Sequence, residues 1–393
     1  MFKTKYILLV IGFILIALSC DNLDITSEQS KTFTKIFGSA GSDIGNDVKE
    51  FNGGYIILTT KQLDTECSEI VLLQTNNYGN PKSNGVDTLS SLRGGNNTAS
   101  KLLLTQDGGF IVLGTVEDTL NNNTDIYINK FSSDFTSEWE KYIGTNANEV
   151  GNAIKKANTG YIITGSTDSD ENGNGGKDIY LVKISETGDV EREEYLGFTS
   201  DDYSSDIIPI DNGYIIIGTT NLPDKGSEIT FIKTNLSGTS YDVTTYGGTN
   251  NDYGATVVKT EDGGYIIVGN LEENAGGNSN IKLIKVDEGL RNIIWNRDIG
   301  GTALNDEAFE IVKSNGGFII IGTKELASGP AAYFLKIDDE SGETILENTY
   351  GGYGQTIYSI EKTYDGGFIM IGSSGTTGNE MIYLVKVNSE GEL

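Results

Sequence analysis

Short apolar runs separated by polar, glycine-rich turns repeat along most of the chain. The clearest run opens with glycine and an aromatic: Gly54-Tyr55-Ile56-Ile57, Gly109-Phe110-Ile111-Val112, Gly160-Tyr161-Ile162-Ile163, Gly213-Tyr214-Ile215-Ile216, Gly264-Tyr265-Ile266-Ile267, Gly317-Phe318-Ile319-Ile320 and Gly367-Phe368-Ile369-Met370. Its aromatics are spaced by 55, 51, 53, 51, 53 and 50 residues. Each repeat also holds a run before this phrase, a third run apolar on both faces such as Ile179-Tyr180-Leu181-Val182, and a fourth ending near a glycine, as at Tyr246-Gly247-Gly248. The turn Glu261-Asp262-Gly263-Gly264 suits a tight hairpin, because glycine adopts positive φ at little cost. Four strands per repeat and a period near fifty predict radially arranged antiparallel sheets rather than a helical solenoid. Glycine follows the second strand in six repeats (Gly114, Gly165, Gly218, Gly269, Gly322, Gly372), with Thr59 in the first. We expect it there to let adjacent blades approach closely.

The ends of the repeat array are offset. Phe33-Thr34-Lys35-Ile36-Phe37-Gly38 matches the ends of fourth strands, and the chain stops at Val385-Lys386-Val387 in a third strand. The expected fold is therefore all-β: a seven-bladed β-propeller over 32–393, with the N-terminal strand completing the last blade so that no sheet edge is left open. Thr260 to Gly269, with Ile179 to Ile184 and Tyr246-Gly247-Gly248, resembles the seven-bladed β-propeller repeats (SBBP-type) of secreted and surface bacterial proteins. That resemblance implies the fold and a surface location, and it brings no catalytic motif.

Residues 1–19 have a basic start (Lys3, Lys5) and a thirteen-residue apolar stretch from Tyr6 to Leu18. This is too short to span a bilayer and reads as a secretory signal. Cys20 after Ser19 resembles a lipobox cysteine, the expected lipidation site, although Ala17 stands where leucine is usual. Simple cleavage that leaves a free Cys20 is the alternative. Residues 20–31 form the expected tether, and the expected location is the cell envelope, at the outer membrane, facing periplasm or surface. Cys67 is the one other cysteine, so no disulfide is available to a lipidated chain.

Charge and missing residue types narrow the function. The chain carries 28 basic and 56 acidic residues, a formal charge of −28, which disfavours nucleic acid and anionic headgroups as partners. The complete lack of histidine removes Ser-His-Asp and Cys-His catalysis and most zinc or copper sites. The four arginines (Arg93, Arg192, Arg291, Arg297) fall in or near fourth strands, away from any central channel. The turns at Thr105–Gly109 and Thr260–Gly264 read as hairpins, not as halves of a sialidase Asp-box. These observations predict a non-enzyme without a cofactor, acting as a binding module for protein or glycan. A structural envelope protein without a discrete ligand is the alternative, and a carboxylate-dependent glycan-active enzyme the third reading.

Two groups of candidate site residues emerge. Asp168, Asp170 and Asn172 alternate as in the first half of an EF-hand loop, but Ile179 stands where a bidentate glutamate belongs, so calcium is a weak expectation. The segments that lead into each blade carry a recurring carboxylate, which serves either as a turn cap or as a ligand. These segments and the variable loops between second and third strands share one face. Asp202, Tyr203, Asp252, Tyr253 and Tyr353 are the expected binding residues there.

Overall fold

The computed structural model describes residues 31–393, apart from 40, 65–66, 90–93, 170, 172, 274–276 and 302–303. The expected signal segment, the lipidation site Cys20 and the tether to residue 30 lie outside the described residues. The 28 described strands form seven four-stranded antiparallel sheets. Six sheets take their strands consecutively: residues 43–88, 98–143, 149–196, 202–246, 252–299 and 306–350, blades one to six. Blade seven combines the N-terminal strand Phe33–Phe37 with Gln355–Lys362, Phe368–Ser374 and Met381–Val387, and Phe33 pairs with Lys386, Phe37 with Ile382. The ring thus closes as the sequence indicates.

The second and third strands of each blade are apolar on both faces because both faces are covered. Ile266, Val268, Ile281 and Leu283 of blade five pack directly on Ile320, Tyr333 and Leu335 of blade six, all essentially inaccessible to solvent. Each fully buried side chain of this size contributes about 1.5–3 kcal/mol. The hairpin turns are locked from below. Lysines of the third strands, Lys130, Lys285 and Lys386, reach the turn carboxylates Asp107, Asp262 and Asp365 at 2.5, 3.1 and 3.1 Å. Their stems are buried and only the turn end meets water, an arrangement open to a long amphipathic side chain.

The first strand of every blade is bulged at the same place. The register shifts between Gly45 and Asp47, Ala99 and Lys101, Gly151 and Ala153, Ser204 and Asp206, Gly254 and Thr256, Ala308 and Glu310, and Ile357 and Ser359. This changes the reading of the glycine that follows the second strand. A Cβ on Gly165 would lie 1.7 Å from the Val150 carbonyl oxygen, on Gly218 1.9 Å from that of Tyr203, and on Gly322 1.8 Å from that of Glu307, all in the same blade. The bulge turns that carbonyl onto the neighbouring strand, so glycine answers the bulge first. At Gly114 and Gly269 an isoleucine of the preceding blade also comes close, Ile70 at 2.6 Å and Ile229 at 2.4 Å. Gly165→Ala is expected to destabilise the protein by about 1–3 kcal/mol through forced backbone displacement. A urea midpoint equal to that of the unsubstituted chain would contradict this.

Candidate functional site: the central channel

First strands run innermost, so their side chains line the axis of the ring. The bulges bring seven residues to one level: Asp47, Lys101, Ala153, Asp206, Thr256, Glu310 and Ser359, in blade order. Two positions further, towards the hairpin turns, stand Lys49, Leu103, Lys155, Ile208, Val258, Val312 and Glu361. Three lysines and four carboxylates therefore face one another in a narrow, largely dehydrated space.

The carboxylates of the first level join neighbouring blades. Asp47 accepts from the Leu102 amide of blade two at 2.7 Å, and Asp206 accepts from Thr256 Oγ1 at 2.8 Å and the Val257 amide at 3.4 Å in blade five. Glu310 accepts from the Ile360 amide of blade seven at 3.2 Å. Lys101 of blade two reaches Glu310 of blade six at 3.3 Å, an ion pair that crosses the channel. Lys49 bridges Asp47 at 3.2 Å and Glu361 at 3.1 Å, and Lys155 lies 3.4 Å from Asp206.

Burial works against every one of these charges, and the pairings decide the outcome. For Asp47, burial alone would raise the pKa, but Lys49, Lys101 and the Ser359 and Leu102 hydrogen bonds outweigh it and hold it below the ordinary range. Glu361 shares Lys49 with fewer donors; burial dominates and its pKa is raised. Lys49 and Lys101 stay charged: burial lowers their pKa, yet Asp47 and Glu361 raise that of Lys49, and Glu310 and Asp47 that of Lys101, by more.

Below this plug the channel widens into a cavity of about 360 Å³ at the hairpin-turn face. Lys49, Lys155, Lys259 and Lys313 line it with Asp206, Glu310 and Glu361, and Ile208, Pro209, Val258 and Val312 supply an apolar wall. Lys313 pairs with Glu261 at 2.8 Å, while Lys259 is exposed and makes no ion pair among the described residues. In a chain with twice as many acidic as basic residues, the lining holds four lysines and three carboxylates, and Asp47 and Glu261 pair with two of those lysines from just outside it, so lysine is locally enriched to near balance. Arg192 and Arg297 lie in fourth strands and Arg291 just before one, so the cationic groups of the channel are all lysines; Arg93 lies outside the described residues.

The sequence-derived candidates lie on the opposite face. Asp202 and Asp252 are fully buried. Asp202 accepts from the Phe198 amide at 2.6 Å and Thr220 Oγ1 at 2.5 Å; Asp252 accepts from the Gly248 and Glu272 amides at 2.8 and 3.2 Å. Tyr203 stacks beneath Lys177, whose Nζ is 5.5 Å from the ring centre, and its hydroxyl donates to Asp201 at 3.3 Å. Tyr253 and Tyr353 are exposed. These residues share a face, and no ring contact joins the three tyrosines among the described residues. Asp168 accepts from the Asn148 amide and side chain at 2.7 and 2.8 Å, tying its loop to the start of the blade. Asp170 and Asn172 lie outside the described residues.

No family model matches the chain, and no curated protein matches it. Solved structures do resemble it. The polysaccharide lyase Uly1 aligns over 90% of this chain and 91% of its own, at 11% identity and a TM-score of 0.56. The β-propeller domain of the Trilobed protease from Pyrococcus furiosus aligns over 90% and 96%, at 11% identity and a TM-score of 0.51. Acylaminoacyl peptidase from Pyrococcus horikoshii aligns over 87% of this chain at 13% identity and a TM-score of 0.49; this chain spans half the length of that enzyme. The first two likenesses establish the propeller fold. They also correct the expectation that the chain is not an enzyme, since a polysaccharide lyase has the same fold over nine-tenths of both chains. The lack of histidine removes particular chemistries, but carboxylates remain, and among the channel groups Glu361, whose pKa burial raises, is moved towards the range that suits proton transfer.

Proposed function

We propose that this chain is a lipid-anchored, extracytoplasmic propeller of the SBBP type that binds an anionic glycan at the hairpin-turn mouth of its channel. The observation that carries the proposal is the local concentration of lysine: Lys49, Lys155, Lys259 and Lys313 around one cavity of about 360 Å³ in a strongly acidic protein, with Lys259 in no ion pair among the described residues. That volume falls in the ~300–1,000 Å³ range of ligand pockets. The lysines offer donors to carboxylate or sulfate groups, Asp206, Glu310 and Glu361 accept from sugar hydroxyls, and Pro209, Val258 and Val312 meet the apolar faces of sugar rings. Surrounding negative charge disfavours polyanions that do not fit the mouth.

Isothermal titration with oligosaccharides of equal length tests this. Uronate- or sulfate-bearing chains are expected to bind, with affinity falling as salt rises, and neutral chains to bind at least about tenfold more weakly. Equal affinity for neutral and anionic chains, or no binding by either, would overturn the reading. The same mixtures are assayed for new reducing ends and for ultraviolet absorbance from unsaturated products, so that turnover is detected alongside binding.

A further inference from the structure

The junction between blades three and four holds two buried carboxylates with no cationic side chain between them. Asp178 opens the third strand of blade three, and Asp202 opens the first strand of blade four; both are 0% exposed. A Cβ on Gly197 would lie 2.4 Å from Asp202 Oδ2 and 3.0 Å from Asp178 Oδ1, so both oxygens converge on one point above that glycine. Asp178 Oδ2 accepts from the Asn174 amide at 2.9 Å, whereas Asp178 Oδ1 is buried and accepts no hydrogen bond. An unsatisfied carboxylate oxygen facing a second buried carboxylate is costly unless a proton or a cation lies between them.

Equivalent junctions resolve the same contact in other ways. Around Gly247, Glu228 faces Asp252 and is paired with Lys225 at 3.1 Å. Around Gly300, the group facing Asp306 is the uncharged side-chain amide of Asn280, whose Oδ1 is buried without a hydrogen bond, so only one of the two groups carries charge. Around Gly144, Glu149 faces Asp125 and takes hydrogen bonds from Thr145, through both amide and hydroxyl, and from Thr167. At Gly197 no lysine intervenes; the Asn174 side chain reaches Asp178 and donates to the Gly197 carbonyl at 3.4 Å, yet Asp178 Oδ1 still accepts no hydrogen bond.

We propose that Asp178 and Asp202 hold a calcium ion between blades three and four. The ligand class follows from two hard carboxylate oxygens on different blades. Among the described residues no group of three or more His, Cys, Asp or Glu side chains converges, so backbone carbonyls and water complete the shell. Such a site binds weakly, with a dissociation constant on the order of 10⁻⁴–10⁻³ M, as in extracellular modules. Bound calcium ties the third blade to the fourth through Asp178 and through Asp202, which also accepts from Phe198 and Thr220; Asp168, which accepts from Asn148, is not one of its ligands.

The competing occupant is a proton. Burial pushes the Asp202 carboxyl up to about 6 and raises that of Asp178. A folded-state pKa above the unfolded value near 3.8 stabilises the fold at low pH, and that stabilisation is lost as pH rises through about 6. Calcium matters most where the proton has left, at neutral pH. Thermal melts of the EDTA-treated full chain with millimolar calcium chloride at pH 7 separate the two. We expect a rise in Tm of about 2–5 °C, abolished in Asp178→Asn and Asp202→Asn and retained in Asp168→Asn. Asp178→Ser serves where the amide variant does not fold, and calorimetric titration of the unsubstituted chain with calcium reads binding directly. No calcium response in the unsubstituted chain, with a Tm that rises only on acidification, would assign the pair to a shared proton and overturn the proposal. A response that survives at both Asn variants, or fails in Asp168→Asn alone, would overturn it equally.

Discussion

Asp47→Ala is expected to lower the free energy of unfolding by about 3–5 kcal/mol, the range for breaking a buried charged network at one partner. Asp47 is fully buried and accepts from the Val48 amide at 2.8 Å, the Leu102 amide at 2.7 Å, Ser359 Oγ at 2.6 Å and Lys49 Nζ at 3.2 Å. Those donors come from blades one, two and seven, so the carboxylate holds together the place where the two ends of the chain meet. Truncation leaves the Leu102 amide and the Ser359 hydroxyl without their acceptor and Lys49 with Glu361 alone. Urea denaturation should show a lower midpoint with an unchanged slope. The pH dependence has a definite sign. The folded-state pKa lies below the unfolded value, so Asp47 contributes its stability above about pH 3.8 and loses it as pH falls through the folded value. The difference between the two proteins should therefore shrink in acid. A difference below about 1 kcal/mol at pH 7 would show that the channel relaxes around the lost carboxylate.

Removing the N-terminal strand is the second large change. Phe33–Phe37 pairs along its length with Ile382–Lys386, and Phe33 and Phe37 pack against the cluster of Val48, Tyr55, Ile369, Ile371 and Leu384. Phe33 meets Tyr55 edge-on at 6.2 Å. A chain beginning at residue 39 leaves the strand Met381–Val387 as an open edge and uncovers part of that cluster. Its Tm should fall by about 5–10 °C, and amide exchange should accelerate in 381–387 before it does in the inner strands. A peptide of residues 31–39 added in trans should restore much of both. An unchanged Tm would mean that blade seven stands on three strands.

The strand pattern was legible because it follows from burial. Third strands lie between two blades, so Ile179-Tyr180-Leu181-Val182 is apolar throughout, a pattern that a solvent-facing element would not tolerate. The offset of the chain ends was equally plain, since Phe33–Phe37 has the pattern of a fourth strand and Met381–Val387 that of a third. The channel was not legible. Asp47, Lys101, Asp206 and Glu310 share one ring, yet Ala153, Thr256 and Ser359 occupy the same level, so no residue type recurs with the repeat. Aligning the seven first strands to the glycine–aromatic phrase places all four charges eight or nine residues before its aromatic, and that column was the available signal. The bulge explains both the column and the glycines of the second strands, which the sequence reading assigned to contact between blades. Loop variability drew attention to the opposite face, where Asp202 and Asp252 are buried and cap backbone amides rather than facing solvent.

The location of the ligand is the central claim. Calorimetric titration of two double variants with an anionic oligosaccharide tests it most directly: Lys259→Ala with Lys313→Ala at the hairpin-turn mouth, and Tyr253→Ala with Tyr353→Ala on the loop face. The account predicts a loss of at least about tenfold for the lysine pair, with both proteins equally stable, and no change for the tyrosine pair. Full affinity in the lysine pair, or a loss confined to the tyrosine pair, would contradict it and move the site to the other end of the ring.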